Sequence, residues 1–193
     1  MKTFVTVIAG FVAATLSFSM SASAATYAFA DTGRTSIDWF SDAPMEKIKG
    51  TASGATGSVT FDPANPQGLT GSVSVPVKSM KSGNPIRDRH LKGAKWLDAG
   101  KHPNLVFKVT KVTAATRAKN KSELKLDGTF TCHGVTKAIS VPATIKWNAK
   151  TLKLTTKFSI KLADYKVAGS SGTIGNKVGK TIEIKATLYG AAR

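Results

Sequence analysis

The sequence predicts an all-β chain: an antiparallel sheet, dry on one face, that closes into a barrel or stacks as a two-sheet sandwich. Three observations carry this. Apolar and polar residues alternate with period two along most of the chain, most clearly in TLKLTTKFSIKL at Thr151–Leu162, where Leu152, Leu154, Thr156, Phe158, Ile160 and Leu162 share one face. Turn signals punctuate the runs at Asp62-Pro63, Asn65-Pro66, Lys119-Asn120, Asn148-Ala149-Lys150 and Gly175-Asn176. One long interval, Ile86–Phe107, breaks the strand pattern. Short strands with short turns favour antiparallel pairing, and closure removes exposed edges. An eight-stranded barrel can enclose a small apolar ligand whereas a sandwich fills its interior, and periodicity alone leaves both open.

In chain order, residues 1–24 read as an export signal. Lys2 precedes an apolar run from Phe4 to Phe18, and the small-residue site Ala22-Ser23-Ala24 follows. The run is shorter than the roughly 20 residues of a membrane-spanning helix, and no comparable run follows. The expectation is cleavage near Ala24, a soluble periplasmic or secreted protein, and one domain over residues 25–193, a length suited to a single core. A lipid-anchored form would need a cysteine at the cleavage site, and the one cysteine is Cys132.

Strands are expected near Tyr27–Asp31, Thr35–Ser41, Gly57–Asp62 and Gly71–Lys78, the last with Val73, Val75 and Val77 on one face. Alternation then groups Leu105, Phe107 and Val109; Leu124, Leu126, Phe130 and Cys132; Ile139, Val141, Ala143 and Ile145; and Ile182, Ile184, Ala186 and Leu188. Gly50–Gly57, rich in small residues, reads as a thin stretch of wall.

The excursion IRDRHLKGAKWLDAGKHPNLVF begins after the stiff Pro85. Ile86, Leu91, Ala94 and Leu97 recur at roughly helical spacing, Gly93 and Gly100 weaken the helix, and Pro103 ends it. It is read as lying across one mouth or edge of the sheet, with Asn104 re-entering a strand. Loops of this length are more often functional than scaffolding. Two guanidinium groups and an imidazole, Arg87, Arg89 and His90, can hold a phosphate or carboxylate head group by charge-assisted hydrogen bonds while a tail lies inside. The rival reading is local ion pairing, Arg87 with Asp88 or Arg89 with Asp98. Trp96 and Leu97 are expected to pack the excursion onto the sheet.

The net charge is +17, or +16 without Lys2. Such a field attracts anionic membrane surfaces, acidic wall polymers or nucleic acid. Many lysines alternate with the apolar set, as Lys153, Lys157 and Lys161 do, which places them on an outer, solvated face. Few aromatics are interleaved, so stacking platforms for nucleic acid are not evident, and export argues further against that partner. With one cysteine no intrachain disulfide forms. Cys132 is either a small buried hydrophobe or a reactive thiol able to link a homodimer.

Catalytic and metal motifs are missing. His90, His102 and His133 belong to no HxH, HExxH or CxxC unit, so no metal site and no cofactor is expected. There is no GxSxG, P-loop or GxGxxG, and Gly169-Ser170-Ser171-Gly172 reads as a flexible loop. Asp88, Asp98, Asp127 and Asp164 read as turn-stabilising carboxylates. The chain is not expected to be an enzyme.

Two long motifs then carry a family likeness. Arg87, Asp88, His90, Leu91, Trp96, Leu97, Asp98, Pro103 and Phe107 form the first; Leu126, Gly128, Phe130, Gly134, Val135, Thr136 and Lys137 form the second. With GSVTFDP at Gly57–Pro63 and KLADYKV at Lys161–Val167, this order resembles the YceI-like family over nearly all of the chain after the leader. The resemblance implies an extended, lipocalin-like, up-and-down antiparallel barrel of about eight strands, so it selects the barrel. It also implies that a polyisoprenoid or a fatty acid derivative is held in an apolar tunnel, for transport, storage or stress protection. The expected lining or rim is Trp96, Leu97, Phe107, Phe130, Val141 and Phe158, with Arg87, Arg89 and His90 at the head group. The alternative is a basic envelope-surface protein that binds anionic lipid or wall polymer with no tunnel ligand. Two departures are visible: Lys166 follows Asp164-Tyr165 where the family often has glycine, and the first strand pair is short, with Ala43-Pro44-Met45-Glu46 ahead of Gly50.

Overall fold

Side chains that alternate in sequence alternate in burial. A computed structural model describes residues 23–30, 33–42, 46–167 and 178–193. The expected leader, apart from Ser23 and Ala24, and the Gly169–Gly172 and Gly175-Asn176 segments lie outside the described residues.

The strands are β1 (Ala25–Phe29), β2 (Ser36–Asp42), β3 (Lys47–Ala52), β4 (Thr56–Phe61), β5 (Thr70–Pro76), β6 (Asn104–Ala118), β7 (Lys121–Cys132), β8 (Val135–Trp147), β9 (Thr151–Lys161) and β10 (Thr181–Ala192), with one helix, α1 (Pro85–Lys92). All pairings are antiparallel, and β1 joins β4 on one side and β10 on the other, which closes the sheet. Two of the staves are broken. β2 and β1 lie end to end along β10, which pairs Ile182–Thr187 with β2 and its last residues with β1, while β3 and β4 continue each other on the next stave. The result is a closed eight-stranded up-and-down barrel with one short helix, the architecture implied by the resemblance.

Sequence periodicity missed β3 and half of β6, each for a local reason. In β3 the inward positions are Ile48, Gly50 and Ala52. The small residues make room for Trp39: a methyl added at Gly50 would sit 2.0 Å from its indole ring. The wall there is filled from the neighbouring strand. In β6, register shifts after Val109 and Val112 put one extra residue into the strand at each point, so its inward set after Phe107 runs Val109, Val112, Ala115. Spacing of three hides a strand from a period-two reading.

The meander puts the β2–β3, β7–β8 and β9–β10 connections at one end, together with the excursion between β5 and β6. The start of β1, the end of β10 and the β4–β5, β6–β7 and β8–β9 connections occupy the other. This second end is packed solid. Phe61, Ile145 and Leu152 have no exposed surface, and Phe61 meets Trp147 edge to face at 5.0 Å. Ser122 is buried there with a hydroxyl that lacks a hydrogen-bond partner.

Candidate functional site: an apolar cavity beneath α1

The end carrying α1 is hollow. A cavity of about 440 Å³ runs from the rim into the barrel, within the roughly 300–1,000 Å³ of small-molecule sites. Its wall follows from the alternation: Phe107 and Val109 from β6, Leu126 and Phe130 from β7, Val141 from β8, Leu154 and Phe158 from β9, and Ile182, Ile184 and Ala186 from β10. Phe130 meets Phe158 edge to face at 5.9 Å and Tyr165 at 5.6 Å, so one aromatic cluster stiffens that side. Gly128 faces inward on β7 and leaves room for a ring: a methyl there would lie 2.7 Å from Phe107.

The excursion forms the rim. Asn84 caps α1, its Oδ1 accepting from the N–H groups of Ile86 (3.0 Å) and Arg87 (3.1 Å), and Pro85 occupies the first turn. No residue of α1 is buried. Leu91 packs partly buried against the core, and polar contacts hold the rest of the helix in place. Asp88 Oδ1 accepts from the Ser82 N–H (2.7 Å) and hydroxyl (2.6 Å), and Arg87 Nε donates to Ser82 Oγ (2.9 Å). Arg87 Nη1 donates to Glu46 Oε1, so an ion pair ties α1 to the chain entering β3. After Gly93 the chain turns under itself, with the Leu97 N–H reaching the Leu91 carbonyl at 3.1 Å, and buries Trp96 and Leu97.

The expected site residues fall as follows. Trp96, Leu97, Phe107, Phe130, Val141 and Phe158 all line the cavity, as do Arg87 and His90; Arg89 is exposed and does not. The local ion pairs considered for the excursion do not form. Asp88 is spent on Ser82, Arg87 pairs with Glu46, and Asp98 pairs with Lys101 at 3.8 Å. Glu46, Ser41, Asn84 and the exposed Ile86 also line the mouth and went unrecognised.

His102 and His133 meet edge to face at 5.2 Å, and His133 Nδ1 donates to the Tyr165 carbonyl at 3.2 Å. Among the described residues no group of three His, Cys, Asp or Glu side chains converges on a metal position. Cys132 is buried in the cavity wall, 2% exposed, and burial pushes its thiol up to about 12. In that position it is neither a thiolate nucleophile nor a bridge to a second chain. Tyr165 is likewise pushed up to about 12, first by burial and then by Cys132 and Asp164.

These features define a class: a closed antiparallel barrel, packed at one end and hollow at the other, with an apolar cavity beneath its one helix. The chain belongs to the YceI-like family, whose domain profile matches residues 19–189. It is 28% identical over 144 residues to protein YceI of Salmonella arizonae, covering 72% of this chain and 73% of that protein. Among solved structures it is similar to BcnA of Burkholderia cenocepacia (TM-score 0.72, 22% identity, 83% of this chain and 98% of that one). It is also similar to a polyisoprenoid-binding domain from Saccharophagus degradans (TM-score 0.68, 13% identity, 89% and 100%) and to the YceI protein of Campylobacter jejuni (TM-score 0.62, 25% identity, 77% and 86%).

Proposed function

We propose that this protein is an exported, non-catalytic lipid carrier that holds the tail of a polyisoprenoid or fatty acid derivative in the barrel, with its polar end at the α1 rim. One observation carries the reading: a large cavity whose wall is mostly apolar, open at a rim that carries Glu46, Asn84, Arg87 and His90. Water in such a space finds few partners, whereas an alkyl or isoprenyl chain gains roughly 25 cal/mol for each Å² it removes from water. The polyisoprenoid-binding domain among the structural neighbours supports the choice of tail. The leader at residues 1–24 motivates a periplasmic or secreted location, with transport, storage or stress protection as the role. Native mass spectrometry of protein purified from its host envelope is expected to reveal a co-purifying lipid. Added polyprenyl phosphate at about a hundred times its dissociation constant should stabilise the fold by roughly 2.7 kcal/mol. Absence of both effects ends this reading.

A second reading, docking on anionic membrane or wall polymer, is favoured by one feature of the outer wall. Lys121, Lys146 and Lys153 stand directly opposite one another across β7, β8 and β9, a row of like charge that Glu123 offsets in part by pairing with Lys121. Binding to phosphatidylglycerol vesicles should then fall steeply as salt shortens the screening length to about 8 Å at 0.15 M. Salt-independent vesicle binding removes it.

A further inference from the structure

The choice of head group, given a lipid tail in the cavity, turns on a residue from outside the excursion. The guanidinium of Arg87 lines the mouth and is oriented along one edge by Ser82, through Nε to the hydroxyl at 2.9 Å and Nη2 to the carbonyl at 3.4 Å. Ser82 is fixed in turn by Asp88. Nη1 meets Glu46, which also lines the mouth. We propose that Glu46 is a resident counter-ion that an anionic head group, phosphate or carboxylate, displaces from Arg87, so that the rim selects amphiphiles by the charge of their heads.

Two other polar oxygens of the rim are already committed. Asn84 Oδ1 accepts two helix N–H groups, and Ser41 Oγ accepts from the Gly179 N–H at 2.8 Å. Arg87 has five N–H donors, of which these contacts use three, leaving two aimed from a fixed frame. His90, exposed on the same helix, is a further donor facing the mouth.

Exchange is easy because the pair is partly in water. The Arg87 and Glu46 side chains are 28% and 40% exposed, and pairs at such exposure contribute little net stability. The Ser82–Asp88 clamp holds the guanidinium whether or not Glu46 is present, so losing Glu46 does not disorder the receptor. An incoming anion replaces one negative charge by another and gains the fork geometry that suits phosphate and carboxylate. A neutral head offers Arg87 no such exchange.

The test uses the full chain and calorimetric titration with two amphiphiles of the same tail, dodecyl phosphate and 1-dodecanol. In the unmodified protein the phosphate should bind more tightly. Glu46→Gln is expected to raise the phosphate-to-alcohol affinity ratio by roughly two- to fivefold, the effect of removing a competing partial ion pair. Arg87→Gln should erase the preference for phosphate. Glu123→Gln removes an equal charge at the packed end and should not move the ratio. An unchanged ratio in Glu46→Gln, or an equal rise in Glu123→Gln, overturns the proposal. Inorganic phosphate binding as tightly as dodecyl phosphate would make this a free-anion site and overturn it too. If neither amphiphile binds, the lipid-carrier reading itself fails, and this inference with it.

Discussion

Lys166 holds a left-handed backbone conformation, φ +56°, directly after the 3-10 turn Leu162–Tyr165. Its N–H donates to the Ala163 carbonyl and that of Val167 to the Leu162 carbonyl, both at 3.1 Å, the closing geometry that glycine adopts without steric cost. The position where the family resemblance leads one to expect glycine is thus a position of left-handed backbone. Lys166→Gly is expected to raise stability by roughly 0.5–1 kcal/mol, read as a higher unfolding midpoint in urea. No change, or a loss, would show that the lysine side chain offsets the strain. Cys132 and Tyr165 give the residue scale its pH dependence. Their ordinary values are 9.0 and 10.0, and both are pushed up to about 12 in the fold. Between those limits the folded chain holds protons that the unfolded chain has lost, so stability is full below about pH 9 and falls as pH rises toward 12. The thiol alone accounts for up to about 1.4 kcal/mol per pH unit. Thermal unfolding from pH 8 to 11 should show this decline, and Cys132→Ala should flatten it.

At the scale of elements, what could be read in advance depended on whether the relevant signal was local. Residues of β7, β8 and β9 reveal themselves because each buries every second side chain, and the cavity-lining Phe130, Val141 and Phe158 lie on those inward positions. β3 does not, because the volume its side chains lack is supplied by Trp39 from another strand. Glu46 does not, because its partner Arg87 is 41 residues away and only closure of the barrel brings them together. The start of α1 is visible at Pro85, but its Asn84 cap and its early stop are not: Gly93, not Pro103, ends it. An eight-residue helix is too short to hold itself and this one buries no residue fully, so cap and clamp, with the partial packing of Leu91, decide its order. Asn84→Ala should cost the helix about 1 kcal/mol. Hydrogen exchange across residues 85–92 should then quicken several-fold while the global midpoint barely moves. Cooperative loss of the whole fold would mean that α1 is part of the core.

The whole molecule is a barrel with two unequal halves, and the halves should answer one chemical change in opposite ways. Ala143 on β8 and Ala186 on β10 both point inward. Ala143 is 4% exposed, neighbours Ile145 on the packed side and does not line the cavity; Ala186 lines it. Three added carbons at position 143 have no free space, so Ala143→Leu should force neighbours off their rotamers and cost roughly 1–3 kcal/mol. The same carbons at position 186 enter empty volume and gain apolar contact, so Ala186→Leu should leave the unfolding midpoint unchanged or raise it. It should also weaken binding of a long-chain amphiphile, because the new side chain takes the space of the tail. Paired denaturation and calorimetric titration on the two variants separate these outcomes. Destabilisation by both would mean that the half beneath α1 is as tightly packed as the other, and that the cavity is not room held for a ligand.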